Sequence, residues 1–301
     1  MKKLIFFALI MSICACSSDN KNQAAEAKEK PLVAAVNYPL YYFAKTIGGN
    51  HIDIFMPAIS GDPAYWKPNA NQIYKYQASD LILANGAGYA RWMEKVSLPS
   101  SKIIVTAKAF EDKWIVTDEG VSHSHGPDGE HVHKTTASTT WMNFEFAVAQ
   151  AHAVYESLAS ILPDDKKEIM SNFNSLNTEL NTLDQKMKSI AKYLNEETLI
   201  ASHPVYQYME AAYGITLISL HWEPDKMPTN HEWKHFEEKV AKYDIKIMLW
   251  EDEPHQNIKT KLDGIGVKYI VVRPSGNIPV KGDLIENLKD DLLSLEEALQ
   301  K

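Results

Sequence analysis

Between Pro163 and Leu194 the chain carries one uninterrupted apolar stripe: Ile169, Phe173, Leu176, Leu180, Leu183, Met187, Ile190 and Leu194, at alternating steps of four and three. That spacing keeps a single face apolar along a continuous helix, about 40 Å long at 1.5 Å per residue. A coiled-coil seam between two chains would carry systematic flanking charge pairs, which this stretch lacks. Strand-like segments lie on both sides of it in the sequence, so the stripe predicts a rigid strut packed across two lobes.

Before the strut, short apolar runs at Leu32 to Val36, Ile54 to Ile59, Leu81 to Ala84 and Ile103 to Ala107 alternate with helix-period or loop segments. After it, the same alternation returns at Thr198 to Ala201, Thr216 to Leu220, Ile245 to Trp250 and Val267 to Val272. Strands alternating with helices read as α/β units around parallel sheets. The expected fold class is therefore α/β: two similar lobes, each a parallel sheet flanked by helices, joined by one long rigid linking helix. The bounds are an N-terminal lobe over 31–162, the linking helix over 163–195 and a C-terminal lobe over 196–301.

The N-terminus reads differently. Lys2 and Lys3 precede an apolar run from Leu4 to Ile13, too short to span a bilayer, as in a secretory signal peptide. Ala15 before Cys16 resembles the lipobox of bacterial lipoproteins, which implies a signal peptide over 1–15 and a lipid on the Cys16 sulfur. Residues 16–30 are polar and lack large apolar side chains, so they predict a flexible tether. Of the two cysteines, Cys14 leaves with the signal and Cys16 carries the lipid, so no disulfide framework or thiolate metal site remains. A metal would be held by nitrogen and oxygen. The formal charge of −8 argues against a nucleic-acid partner and mildly favours a cationic ligand.

Histidine is concentrated in one place. Residues 119–140 are rich in Gly, Ser, Thr and His, and read as a long surface loop without secondary structure; loops of that length are usually functional or disordered. Within them lie His123, His125, His131 and His133, interleaved with Asp128 and Glu130. That composition points to metal capture. Imidazole with carboxylate suits Zn²⁺ and neighbouring first-row ions, while the glycines argue for weak, multivalent binding rather than one preformed cage.

Two lobes, one long linking helix and a His-rich loop at the end of the first lobe resemble the zinc/manganese solute-binding family of ABC importers, over about residues 31 to 300. Its members carry D-P-H-x-Y-x-P after the second strand, D-P-H-x-W before a helix, H-x-x-Y-x-Y near the second lobe's first strand, and an acid after a later strand. Here Asp62-Pro63-Ala64-Tyr65-Trp66-Lys67-Pro68 follows the first, with Ala64 where a histidine ligand belongs. Ser138-Thr139-Thr140-Trp141 follows the second loosely, with Thr139 in place of the histidine. The segment from His203 through Tyr206 to Tyr208 keeps the third, and Glu251 supplies the acid, with Glu253 as the other alignment. The resemblance implies the metal-type periplasmic binding fold, an ABC permease with its ATPase subunit as partners, a membrane association through the lipid anchor, and a monomer at the extracytoplasmic face of the cell envelope. The implied cargo is Zn²⁺, with Mn²⁺ or another divalent transition metal also compatible.

His203 and one carboxylate are too few for a closed zinc site, which usually has four ligands. Candidates to complete it are His221 and Glu223 at the end of a strand, with Asp62, Glu253 and His255, since open parallel sheets bind ligands beyond the carboxyl ends of their strands. Trp66, Trp141, Trp222 and Trp250 each lie within two residues of a candidate position. Together with Ala64, Thr139 and Tyr206 they suggest an aromatic-lined cleft between the lobes. Binding rather than catalysis is the expected function, because no H-E-x-x-H, G-x-S-x-G or P-loop occurs. Two alternatives stand beside it: a binding protein of the same fold with a changed or lost metal site, serving another ligand or acting as an adhesin, and a zinc-dependent hydrolase with a metal-bound water as nucleophile.

Overall fold

A computed structural model describes residues 29–59, 66–117, 123–124, 130–131, 135–194, 196–224 and 226–299. The N-terminal lobe contains β1 (Leu32–Ala35), β2 (Asp53–Phe55), β3 (Leu81–Ala84) and β4 (Ile103–Val105), all parallel in the order β2-β1-β3-β4. Two two-stranded antiparallel ladders follow: β5 (Val116–Thr117) pairs with β8 (Thr135–Thr136), and β6 (His123–Ser124) pairs with β7 (Glu130–His131). The C-terminal lobe repeats the first pattern with β9 (Thr198–Ala201), β10 (Thr216–Ser219), β11 (Ile247–Trp250) and β12 (Lys268–Val271), parallel in the order β10-β9-β11-β12. Strands such as LILA in β3 and IMLW in β11 are buried at every residue, as expected where a parallel sheet is covered on both faces.

Helices supply the cover: α1 (Tyr38–Gly48), α2 (Ala70–Ala78) and α3 (Phe144–Ile161) on the first lobe, α5 (Gln207–Tyr213), α6 (Asn230–Tyr243), α7 (Gln256–Gly264) and α8 (Leu284–Leu299) on the second. Between them runs α4 (Lys166–Leu194), 29 residues or about 43 Å. Every residue of its stripe except the half-buried Phe173 is fully buried, and the helix packs on α1 and α3 on one side and on α5 and α8 on the other. One apolar core therefore runs from Val33 in the first lobe through α4 to Leu295 in the second. A second, smaller core is confined to the C-terminal lobe around Trp222, Trp233, Phe236 and Trp250.

Polar groups tie the lobes as well. Asp184, 4% exposed inside the stripe of α4, accepts from the Tyr213 hydroxyl at 3.0 Å, and that hydroxyl accepts from the Phe144 backbone N–H at 3.3 Å. The indole N–H of Trp141 donates to the Pro274 carbonyl at 2.6 Å, and the Tyr38 backbone N–H donates to that of Gly276 at 2.9 Å. These bonds join α3, α4 and α5 to one another, and α1 and Trp141 to the loop after β12.

That loop is anchored from α8. Asp291, 2% exposed, pairs with the Arg273 guanidinium and accepts the Arg273 backbone N–H at 2.6 Å. Burial still pushes its carboxyl up to about 6, against the pull of Arg273. An unfolded aspartate titrates near 3.9, so the folded chain holds this proton more tightly. The resulting stabilisation is full below about pH 4 and is lost as pH rises through 6. Relative to Asp291→Asn, which does not titrate, the wild-type chain should gain on the order of 2 kcal/mol in unfolding free energy between pH 7 and pH 4. Urea unfolding of both proteins at the two pH values measures this; a difference independent of pH would contradict it.

Two expectations need correction here. Residues 119–140 are not a loop devoid of secondary structure: β6 and β7 lie within them and β8 closes them, because β-branched Val116, Thr117, Thr135 and Thr136 favour extended pairing. Ala137, Thr139 and Thr140 are buried, so the segment returns to the body of the lobe before residue 140. Among the described residues, the four tryptophans do not come together to line one cleft. Trp141 belongs to the main core and Trp66 packs on Trp92, whereas Trp222 and Trp250 belong to the second core.

Candidate metal centre

The site begins at the carboxyl ends of three adjacent strands. In the order β10-β9-β11, the first strand of the lobe lies between the second and the third. Parallel sheets bind ligands beyond such ends, where the strand order reverses. His203 follows β9, Glu223 follows β10 and Glu251 follows β11 directly. Each is half-buried, and one ligand atom from each lies within 4.8 Å of the others. Among the described residues this is the one place where three such side chains converge so closely. A tetrahedral ion at about 2.0–2.2 Å from each ligand would set those atoms roughly 3.3–3.6 Å apart, a contraction within reach of side-chain rotation.

The backbone fixes where these residues start. Ser202 N–H donates to the Leu249 carbonyl at 2.8 Å, and Trp222 N–H donates to the Ser202 carbonyl at 2.7 Å. The segments carrying His203, Glu223 and Glu251 are thus cross-tied just before they leave the sheet. Ser202 Oγ and Trp250 Nε1, one residue before His203 and Glu251, are buried without a protein hydrogen-bond partner. Leaving such a group unmatched costs about 1–3 kcal/mol. At the end of β12, Ser275 adopts a left-handed backbone with φ of 55°, and its Oγ is likewise buried and unmatched. Unsatisfied polar atoms and a strained backbone at one edge of a sheet are the pattern of a functional edge.

Other candidates fall elsewhere. His221 is exposed, its ring perpendicular to that of His203 with centroids 6.0 Å apart. Glu253 is exposed and ion-paired with Lys259, outside the convergent group. His255 caps α7, its Nδ1 accepting from the Asn257 N–H at 3.2 Å. Asp62 and Ala64 lie outside the described residues, as do His125, His133 and Cys16. The backbones of His123 and His131 stand opposite each other in the β6–β7 ladder. Thr139 is buried and donates its hydroxyl to the Val205 carbonyl at 2.6 Å, a bond between the lobes two residues from His203. Tyr206 is buried, its hydroxyl donating to the Val272 carbonyl at 2.8 Å; burial and the nearby charge of Glu251 push its pKa well up. It is a neutral wall beside the group.

Among the described residues, the three convergent side chains all come from the C-terminal lobe. The pairing of Glu253 with Lys259 had no marker in the sequence, because a six-residue separation across a turn carries no periodic signal.

A model of the family described as zinc-uptake complex component A, periplasmic, matches residues 33–298. The zinc-binding lipoprotein AdcA of Streptococcus pneumoniae is 24% identical over 281 residues, covering 91% of this chain and 55% of its own length. The high-affinity zinc uptake system protein ZnuA of Bacillus subtilis is 22% identical over 312 residues, covering 96% of each. The chain thus spans about half the length of the streptococcal relatives and nearly all of the Bacillus protein. Among solved structures, the Zn(II)-bound ZnuA-like domain of Streptococcus pneumoniae AdcA superposes with a TM-score of 0.73 at 19% identity, covering 91% of this chain and 100% of that domain.

Proposed function

The chain belongs to the family of periplasmic zinc-uptake components, and on that premise we propose that its mature part is the solute-binding component of an ABC importer that captures Zn²⁺ and delivers it to a membrane permease. The observation that carries this reading is the convergence of His203, Glu223 and Glu251 at the ends of three adjacent strands. One imidazole and two carboxylates offer borderline and hard ligands that suit Zn²⁺, and the two carboxylates balance its charge. A Mn²⁺ cargo would use the same oxygens, but the imidazole favours zinc. A hydrolytic role has no support in a family of transport components.

The linking helix and the core that crosses it support capture by local side-chain closure and small movements of the lobes rather than by wide hinge motion. No helix among the described residues is long and apolar enough to cross a membrane; the proposed membrane association is the lipid on Cys16, at the extracytoplasmic face, with the chain acting as a monomer beside its permease and ATPase subunit. Metal analysis of the purified full chain, with calorimetric titration by Zn²⁺ and Mn²⁺, tests the reading. Stoichiometric Zn²⁺ binding is expected, and no bound metal with no heat at neutral pH would remove it.

The His-rich segment adds a second class of site. The β6–β7 register sets the backbone of His123 opposite that of His131, which supports weak binding by this segment in addition to the convergent group. Deleting residues 121–134 should abolish the weak phase of a zinc titration, leave the tight phase intact, and barely change thermal stability, since the β5–β8 ladder remains to close the gap. Loss of the tight phase would make the segment's histidines primary ligands.

A further inference from the structure

We propose that His221 is the fourth ligand, so that the C-terminal lobe alone supplies a His₂Glu₂ set, from His203, His221, Glu223 and Glu251, for one tetrahedral ion. This rests on the reading of His203, Glu223 and Glu251 as a metal centre and extends it to a complete coordination shell.

The argument starts from Trp222. Its indole is 5% exposed, stacked on Trp233 with centroids 5.6 Å apart and tilted against Trp250 at 6.2 Å. The backbone on either side is held along β9, with Leu220 N–H donating to the Ala201 carbonyl at 2.8 Å and Trp222 N–H to the Ser202 carbonyl at 2.7 Å. In an extended segment alternate side chains take opposite faces. With Trp222 committed to the core, His221 and Glu223 share the other face, and the exposed His221 and half-buried Glu223 fit that alternation. Glu223 already belongs to the convergent group, and His221 is the next side chain on that face, just outside its 4.8 Å convergence.

The distance agrees. Two imidazoles bound to one tetrahedral ion through nitrogens about 2.0–2.1 Å away have ring centroids roughly 5–5.5 Å apart. His203 and His221 stand at 6.0 Å with planes at 88°, so a rotation of the exposed His221 side chain closes the remainder. Four nitrogen and oxygen ligands complete the coordination number that zinc takes in closed sites. Two imidazoles in that shell favour Zn²⁺ over Mn²⁺, which prefers six oxygens. In this arrangement the N-terminal lobe contributes a wall, through Thr139 held on the Val205 carbonyl.

The test is Co²⁺ substitution of the full chain, one equivalent per chain, together with zinc affinity by chelator competition, for wild type, His221→Ala and His203→Ala. His231→Ala, an exposed histidine on α6, is the control. Wild type should show the intense visible absorption of four-coordinate Co²⁺. His221→Ala should lose most of that intensity and bind Zn²⁺ at least tenfold more weakly, with an unchanged melting temperature because the side chain is exposed. His231→Ala should match wild type. If wild type and His221→Ala gave the same spectrum and the same zinc affinity while His203→Ala lost both, His221 would be excluded as a ligand and the three-residue centre would stand. If wild type bound neither ion, or His203→Ala changed nothing, the centre itself would be overturned and this proposal with it.

Discussion

His203→Ala should lower the affinity of the full chain for Zn²⁺ at least tenfold, a loss of about 1.4 kcal/mol or more, as read by chelator competition. In the proposed centre the imidazole is the one nitrogen donor of the convergent group, and its removal would leave only two carboxylates to hold the cation. Glu251→Gln and Glu223→Gln should each weaken binding by a similar factor, since each replaces a charged oxygen by a neutral amide within the group. Glu253→Gln is the internal control. Its carboxylate is exposed and engaged by Lys259, so its loss should change zinc affinity less than twofold. A large effect at Glu253 with none at Glu251 would reverse the assignment of the acid.

The ambiguity between those two glutamates shows where the sequence stops being informative. Residues two apart fall on the same face of an extended chain, so periodicity alone could not choose between them; in the fold Glu251 joins His203 and Glu223 while Glu253 pairs with Lys259. Glu223 was legible as a candidate from its place after a strand, but its nearness to His203 depends on β10 lying beside β9 and β9 beside β11, an order that no local pattern encodes. Strand and helix identity were far more legible. Leu81–Ala84 and Thr198–Ala201 fall where their apolar runs end, and the stripe of α4 is buried as its spacing requires. Ends moved for local reasons. The run from Ile54 to Ile59 stops pairing at Phe55, ahead of Pro57, which has no N–H for a ladder. The run from Ile245 begins as a strand at Ile247, because Asp244 takes a left-handed conformation and Ile245 N–H still closes α6 on the Val240 carbonyl at 3.1 Å.

Leu180→Ala should cost about 3 kcal/mol of folding free energy. Leu180 is 1% exposed at the middle of α4, within the core that runs between the lobes, so truncation removes buried methyls and leaves a cavity at the junction. For a chain of this size that cost lowers the melting temperature by roughly 6–12 °C. Because one core serves both lobes, calorimetry should show a single transition that moves as a whole. Two transitions, only one of which shifts, would mean that the lobes fold independently and that α4 is a tether rather than a strut.

The proposed function depends on where the cargo sits, and diffraction locates a zinc ion without reference to any variant. Crystals of the Zn²⁺-loaded protein, measured on both sides of the zinc absorption edge, should give one strong anomalous peak at about 2.0–2.2 Å from the nearest atoms of His203, Glu223 and Glu251. A strong peak bound elsewhere, with none beside those three residues, would contradict this account.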